Sequence, residues 1–194
     1  MIAIIDYDAG NVKSVQNALK KLGFEAEITS DIETIKNAEK VIFPGVGEAS
    51  SAMKKLQERG LDAVIPNLKQ PVLGICLGMQ LMCNASEEGN TKALGIFDCE
   101  VKLFPNSDIV PHMGWNNVSE RKGKLLENIS ENDNFYFVHS YYAEIGENTS
   151  SVCDYIKNFS ATLEKDNFFA AQFHPEKSGD AGFKLLENFL NLRF

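Results

Sequence analysis

Residues 71–82 read PVLGICLGMQLM, and the fold is decided by how this stretch is read. The apolar run from Pro71 to Ile75 predicts a buried strand, and LGMQLMCNA after Cys76 predicts a helix. Cys76 then falls on the bend between them, with Gly74 two residues before it and Gly78 two residues after. Two readings of Gly-x-Cys-x-Gly are open. One is a nucleophile elbow, where a tight strand-to-helix turn lifts a reactive side chain above a sheet and small neighbours make room for it. The other is a buried cysteine at a strand end.

Outward from this bend, strand and helix signals alternate. IAII (2–5) is a short apolar run ending at Asp6. Val12, Val15, Leu19 and Leu22 follow helical spacing, and Gly23 supplies the stop. FEAEIT (24–29) reads as a strand, DIETIKNA (31–38) as a helix capped by Asp31, and KVIF (40–43) as a strand ending at PGVG (44–47). Helical stretches follow near 49–59 and 61–68. This alternation predicts an α/β fold with a mostly parallel sheet covered on both faces. Active groups in such sheets gather at the carboxyl ends of the strands, so PGVG and Cys76 are expected as neighbours. From about Gly95, the segments FDCEVKLF, NFYFVHSYYAEI, SVCDYI, FSATLEK and FFAAQF are aromatic and β-branched, which predicts antiparallel hairpins. Residues 180–192 return to helical spacing. With no repeat or linker, one domain over 1–194 is expected.

At 194 residues, with 44% hydrophobic and 24% charged residues, the composition is that of a globular chain. A formal charge of −8 argues against broad binding to nucleic acid or anionic membranes, which needs a positive field. No run approaches the ~20 apolar residues of a membrane span, and the start lacks the pattern of a secretory signal. A cytoplasmic location with reduced thiols is therefore expected. The four cysteines show no metal-ligand spacing and the three histidines are scattered, so neither a metal nor a cofactor is expected. Cys83, Cys99 and Cys153 are expected as small buried hydrophobes.

A thiol with a reference pKa of about 8.5 needs a base close by. The sequence FHPEKS (173–178) singles out His174: proline favours an extended residue before it, and alternation sends His174 and Glu176 to the same side. Glu176 can then fix the imidazole tautomer that faces the thiol. A plain turn after FFAAQF is the alternative. Acyl chemistry also needs donors for a developing oxyanion, and the Val46 and Leu77 N–H groups would supply two. PGVG could equally be a loop that only turns the chain.

Taken together, these residues resemble the class I (triad) glutamine amidotransferases, over nearly the whole chain. The resemblance implies a flavodoxin-like fold and release of ammonia from glutamine through a γ-glutamyl thioester. It makes Cys76 the nucleophile, His174 the general base and acid, and Glu176 the orienting acid. Gln80 would hold the amino-acid end of L-glutamine, with backbone help around Gly47, Ser140 and Tyr141. Within that class, IIDYDAGN, PGVG, VPHMGWN and FYFVHSYY are similar to the glutaminase subunit of imidazole glycerol phosphate synthase. That likeness implies a heterodimer with a (β/α)8-barrel cyclase. The barrel uses channelled ammonia to convert PRFAR to imidazole glycerol phosphate and AICAR in histidine biosynthesis, a lyase reaction of the complex. Asn11, Met113, Trp115, Tyr136 and Lys177 match positions that face the barrel. One departure stands out: Asp8 occupies a position where the family usually has glycine. Other readings are an amidotransferase subunit serving another pathway such as surface-sugar amination, a non-catalytic binding subunit, and a cysteine hydrolase of peptides or esters.

Overall fold

The computed structural model describes residues 1–193. In chain order the first half runs β1 (Ile2–Ile5), α1 (Val12–Lys21), β2 (Ala26–Thr29), α2 (Ile32–Asn37), β3 (Lys40–Gly45), α3 (Ala49–Glu58), α4 (Leu61–Val64), β4 (Val72–Cys76) and α5 (Leu77–Leu81). The second half is rich in strands: β5 (Ala85–Ser86), β6 (Thr91–Lys92), β7 (Glu100–Leu103), β8 (His112–Asn116), β9 (Phe135–His139), β10 (Tyr141–Ala143), β11 (Thr149–Tyr155), β12 (Lys157–Lys165) and β13 (Phe168–Ala171). It ends in α6 (Gly179–Leu190).

The main sheet has the order β11-β12-β13-β4-β3-β1-β2. Pairing is parallel from β13 through β4, β3 and β1 to β2. β11 and β12 add an antiparallel hairpin at one end, joined to β13 by a second antiparallel pairing. Alternation along β1 divides the interior: Ile2 and Ile4 enter one apolar cluster with α1 and α6, while Ala3 and Ile5 enter the other with α3 and α5. Burial on both faces is why these central strands are continuously apolar.

Local chemistry sets the helix ends. Asp31 accepts the Thr34 N–H at 2.8 Å and caps α2. At the end of α1, Gly23 at φ +83° donates to the Lys20 carbonyl and Phe24 to the Leu19 carbonyl, a Schellman pattern that requires a left-handed residue.

At the level of the fold, the structure corrects four sequence expectations. β3 runs two residues past Phe43, pairing Pro44 with Ile75 and Gly45 with Cys76. The helix after Cys76 stops at Leu81 because chain 94–97 takes its next carbonyls: Leu94 donates to Leu81, Ile96 and Phe97 to Met82, and Gly95 to Cys83. The segment NFYFVHSYYAEI divides at Ser140, so that β9 pairs with β8 and β10 pairs with β7. Cys99 is only partly buried, with its sulfur 3.4 Å from that of Cys83, whereas Cys83 and Cys153 are fully buried.

Candidate active site

β3 and β4 lie side by side and parallel, so their carboxyl ends meet, and Gly45 is the register partner of Cys76. Cys76 has φ 54° and ψ −110°, a backbone state that a non-glycine residue holds only when its surroundings impose it. The two flanking glycines explain how the bend is packed. A Cβ on Gly78 would lie 1.9 Å from the Phe43 carbonyl oxygen, and one on Gly74 would lie 2.5 Å from the Met82 sulfur. Only glycine lets α5 press this closely on β3 and β4. Leu77 is the first helical residue, so its N–H has no partner within the helix.

His174 lies just beyond β13, the other neighbour of β4. Its Nδ1 is 2.8 Å from Glu176 Oε1, and both side chains are almost wholly buried. The expected alternation is corrected here: His174 is extended, but residues 175–177 form a 3-10 turn, and this turn brings Glu176 back to the ring nitrogen. The carboxylate accepts the hydrogen bond of Nδ1–H and leaves Nε2 for the Cys76 sulfur. Burial alone would lower the His174 pKa. Its hydrogen bonds to Cys76 and Glu176 outweigh that and push it up to about 10. The site therefore favours the charged imidazolium form of His174. Glu176 Oε2 is buried with no hydrogen-bond partner.

The other two histidines are arranged differently. His139 Nδ1 donates to the Tyr141 carbonyl at 2.7 Å, so its Nε2 accepts from His112 Nδ1 at 3.1 Å. Burial pushes His139 down to about 3, and His112 is lowered for the same reason. This neutral pair holds β8, β9 and the Ser140 bend together.

In front of Cys76 opens a cavity of about 290 Å³, bordered by Val46, Gly47, Leu77, Gln80, Ser140 and Tyr141, with His174 and Lys177 also on its wall. Gln80 is buried rather than solvated. Its amide donates to the Tyr141 carbonyl at 2.8 Å and to Gln172 Oε1 at 3.0 Å, which leaves its own carbonyl oxygen as an acceptor. Gln172 Nε2 in turn approaches the Cys76 sulfur at 3.8 Å. The expected two-donor hole is not assembled in this state, because the Val46 N–H donates to the Ala9 carbonyl at 2.8 Å. Leu77 offers the remaining amide.

Sequence reasoning missed Glu88. Its carboxylate holds the Ala49 N–H at 2.8 Å and lines the same cavity, and burial raises its pKa. An acid lining the same cavity as the free Gln80 carbonyl suits an ammonium group. No motif marks Glu88, since its position depends on the turn that ends α5.

The residues matched to a partner face divide into two groups. Met113 and Trp115 are 63% and 55% exposed, and Trp115 crosses Tyr136 edge-on at 5.8 Å between ring centroids, on the outer side of the β8–β9 ribbon. Lys177 is exposed at the cavity rim. Asn11 is half-buried, and its side chain caps α1 by accepting the Ser14 N–H.

A family model described as "Glutamine amidotransferase class-I" matches residues 3–192. The chain belongs to this family. Among curated relatives of this amidotransferase, the imidazole glycerol phosphate synthase subunit HisH of Bacteroides fragilis is 57% identical over 194 residues, covering 98% of this chain and 99% of the relative. The subunit of the same name from Haemophilus influenzae is 48% identical over 191 residues, covering 97% and 96%. A solved structure, PurLQS from Thermotoga maritima, shares the fold at a TM-score of 0.73 and 18% identity, covering 98% of this chain and 97% of that one.

Among the described residues of this amidotransferase, no helix is long and apolar enough to cross a membrane. No group of three or more His, Cys, Asp or Glu could hold a metal ion there. The groups brought together here are those acyl transfer uses: a sulfur nucleophile, a buried imidazole to move protons, a carboxylate to orient it, and the Leu77 backbone amide at the carboxyl end of β4.

Proposed function

We propose that this amidotransferase, acting as one cytoplasmic domain, is the glutaminase subunit of an imidazole glycerol phosphate synthase. The observation that carries this reading is the Cys76–His174–Glu176 line at the carboxyl end of β4, opening on a cavity walled by Gln80 and Glu88. The full-length likeness to HisH subunits supports the choice of pathway.

In this reading Gln80 and Glu88 take the α-ammonium of L-glutamine, and backbone around Gly47, Ser140 and Tyr141 takes its carboxylate. The Cys76 thiolate attacks the side-chain amide carbon. His174 gives its Nε2 proton to the leaving nitrogen, and ammonia departs from a γ-glutamyl thioester. A water then attacks, losing a proton to His174, and glutamate leaves as the sulfur is released. The Leu77 N–H serves the oxyanion throughout. Val46 joins it only after the Gly45–Val46 peptide turns away from Ala9, a change coupled to the occupied partner through Gly45–Gly47.

The exposed Met113, Trp115 and Tyr136 surface, with Lys177 at its edge, receives the (β/α)8-barrel cyclase. The heterodimer passes ammonia across without exposing it to solvent protons, for conversion of PRFAR to imidazole glycerol phosphate and AICAR. Co-purification with the cognate barrel, followed by glutamine-driven product formation, tests the assignment. Failure to associate, or transfer of ammonia only to a different synthase, would contradict it.

A further inference from the structure

The Val46 amide is held away from the catalytic cavity by one acceptor, the Ala9 carbonyl, so whatever fixes residues 8–10 also fixes the oxyanion hole. Three contacts do so. The Asp8 carboxylate pairs with the Arg59 guanidinium, and the Asp8 main-chain oxygen accepts from Lys55 Nζ at 2.6 Å. Lys55 stands in the last turn of α3 and Arg59 is its C-cap, four residues on. Gly10 packs against Pro44, where a Cβ would lie 3.2 Å from the Pro44 carbonyl oxygen. Asp8 has φ 60°, a left-handed conformation that aspartate tolerates, and its N–H bonds back to Asp6 Oδ1 at 3.2 Å. A second cavity, of about 540 Å³, separates this loop from α3 and shares Val46 and Gly47 with the catalytic one. Val46 and Gly47, which follow the amide, therefore border open space on both sides.

We infer that Asp8 is a positioning residue. Clamped by Arg59 and Lys55, it holds the Ala9 carbonyl against the Val46 N–H and so keeps the oxyanion hole one donor short in the unpartnered protein. The inference rests on the glutaminase reading above. A pair of this exposure has only a modest energetic effect, which suits a bias on a two-state peptide rather than a lock.

The test compares isolated Asp8→Asn, Arg59→Met and Arg59→Lys with the parent. Asparagine keeps the left-handed backbone and removes the charge; lysine keeps the cation. In Asp8→Asn and Arg59→Met, the Val46 amide is expected to exchange with solvent faster, while the amides of β1 keep their parental rates. The basal kcat for glutamine should rise about two- to fivefold with KM unchanged, and Arg59→Lys should stay near the parent. Unchanged Val46 exchange, a basal kcat that is level or lower, equal acceleration of the β1 amides, or a rise in Arg59→Lys matching Arg59→Met would each overturn the inference. Cys76→Ala separates the two claims: residual glutaminase activity there sinks the functional reading, whereas a failed clamp leaves that variant inactive.

Discussion

The Nδ1 of His174 lies 2.8 Å from Oε1 of Glu176, because the 3-10 turn that begins at Pro175 folds the carboxylate back to the ring edge. The contact is buried, so it both fixes the tautomer and favours the charged imidazole. Glu176→Gln keeps the shape and removes the charge. Its glutaminase kcat is expected to fall by about a hundredfold or more, and its melting temperature at neutral pH to drop, because the buried imidazolium loses its charged partner, as steady-state kinetics and thermal unfolding would show. Parental kcat in this variant would show that the carboxylate does not orient the base.

The same pair makes stability depend on pH. An unfolded histidine titrates near 6.5, whereas folded His174 is pushed up to about 10 by Cys76 and Glu176 against its burial. Between these values the folded state binds the extra proton, so the stabilisation is complete below about 6.5 and is lost as pH rises through about 10. Melting temperature should decline across that interval, and Cys76→Ala, which removes one partner of the imidazolium, should flatten the decline. Parallel slopes in the two proteins would contradict this coupling.

At the elbow, space decides. A Cβ on Gly78 would meet the Phe43 carbonyl oxygen at 1.9 Å, a backbone atom that cannot swing aside. Gly78→Ala should therefore destabilise by on the order of 3 kcal/mol, lowering the melting temperature by roughly 10 °C. A shift under about 2 °C would mean that α5 can lift from β3 freely.

Much of this was legible from residues whose signals are local. Asp31 caps α2 and Gly23 ends α1 through bonds within a few positions, and β1, β3 and β4 are short apolar runs with clear stops. The Cys76 bend could be read because Gly74 and Gly78 flank it in sequence. What stayed hidden depends on distant chain. The end of α5 is set by residues 94–97, and β8 exists through its pairing with β9, whose residues lie well beyond it in sequence. The direction of the Val46 amide depends on the Ala9 carbonyl, and the place of Glu88 depends on the turn after α5. Asp8 was visible as a departure, but its link to Arg59 needed the fold.

On the outer ribbon, Trp115 is half exposed and packs edge-on against Tyr136. Trp115→Ala should weaken glutamine-driven synthesis with the barrel cyclase by about tenfold or more, as expected for an aromatic anchor. Alkylation of Cys76 in the isolated subunit should be unchanged. Loss of alkylation would place Trp115 in the thiol site instead.

The central claim is that Cys76, with His174, frees ammonia from glutamine for use by a partner. The most direct measurement compares product formation from glutamine and from added ammonium salt, in the complex with the barrel cyclase, for Cys76→Ala and His174→Ala. Both variants are predicted to lose the glutamine-driven reaction and to keep the ammonium-driven one. Glutamine-driven synthesis at the parental rate in either variant would contradict the account.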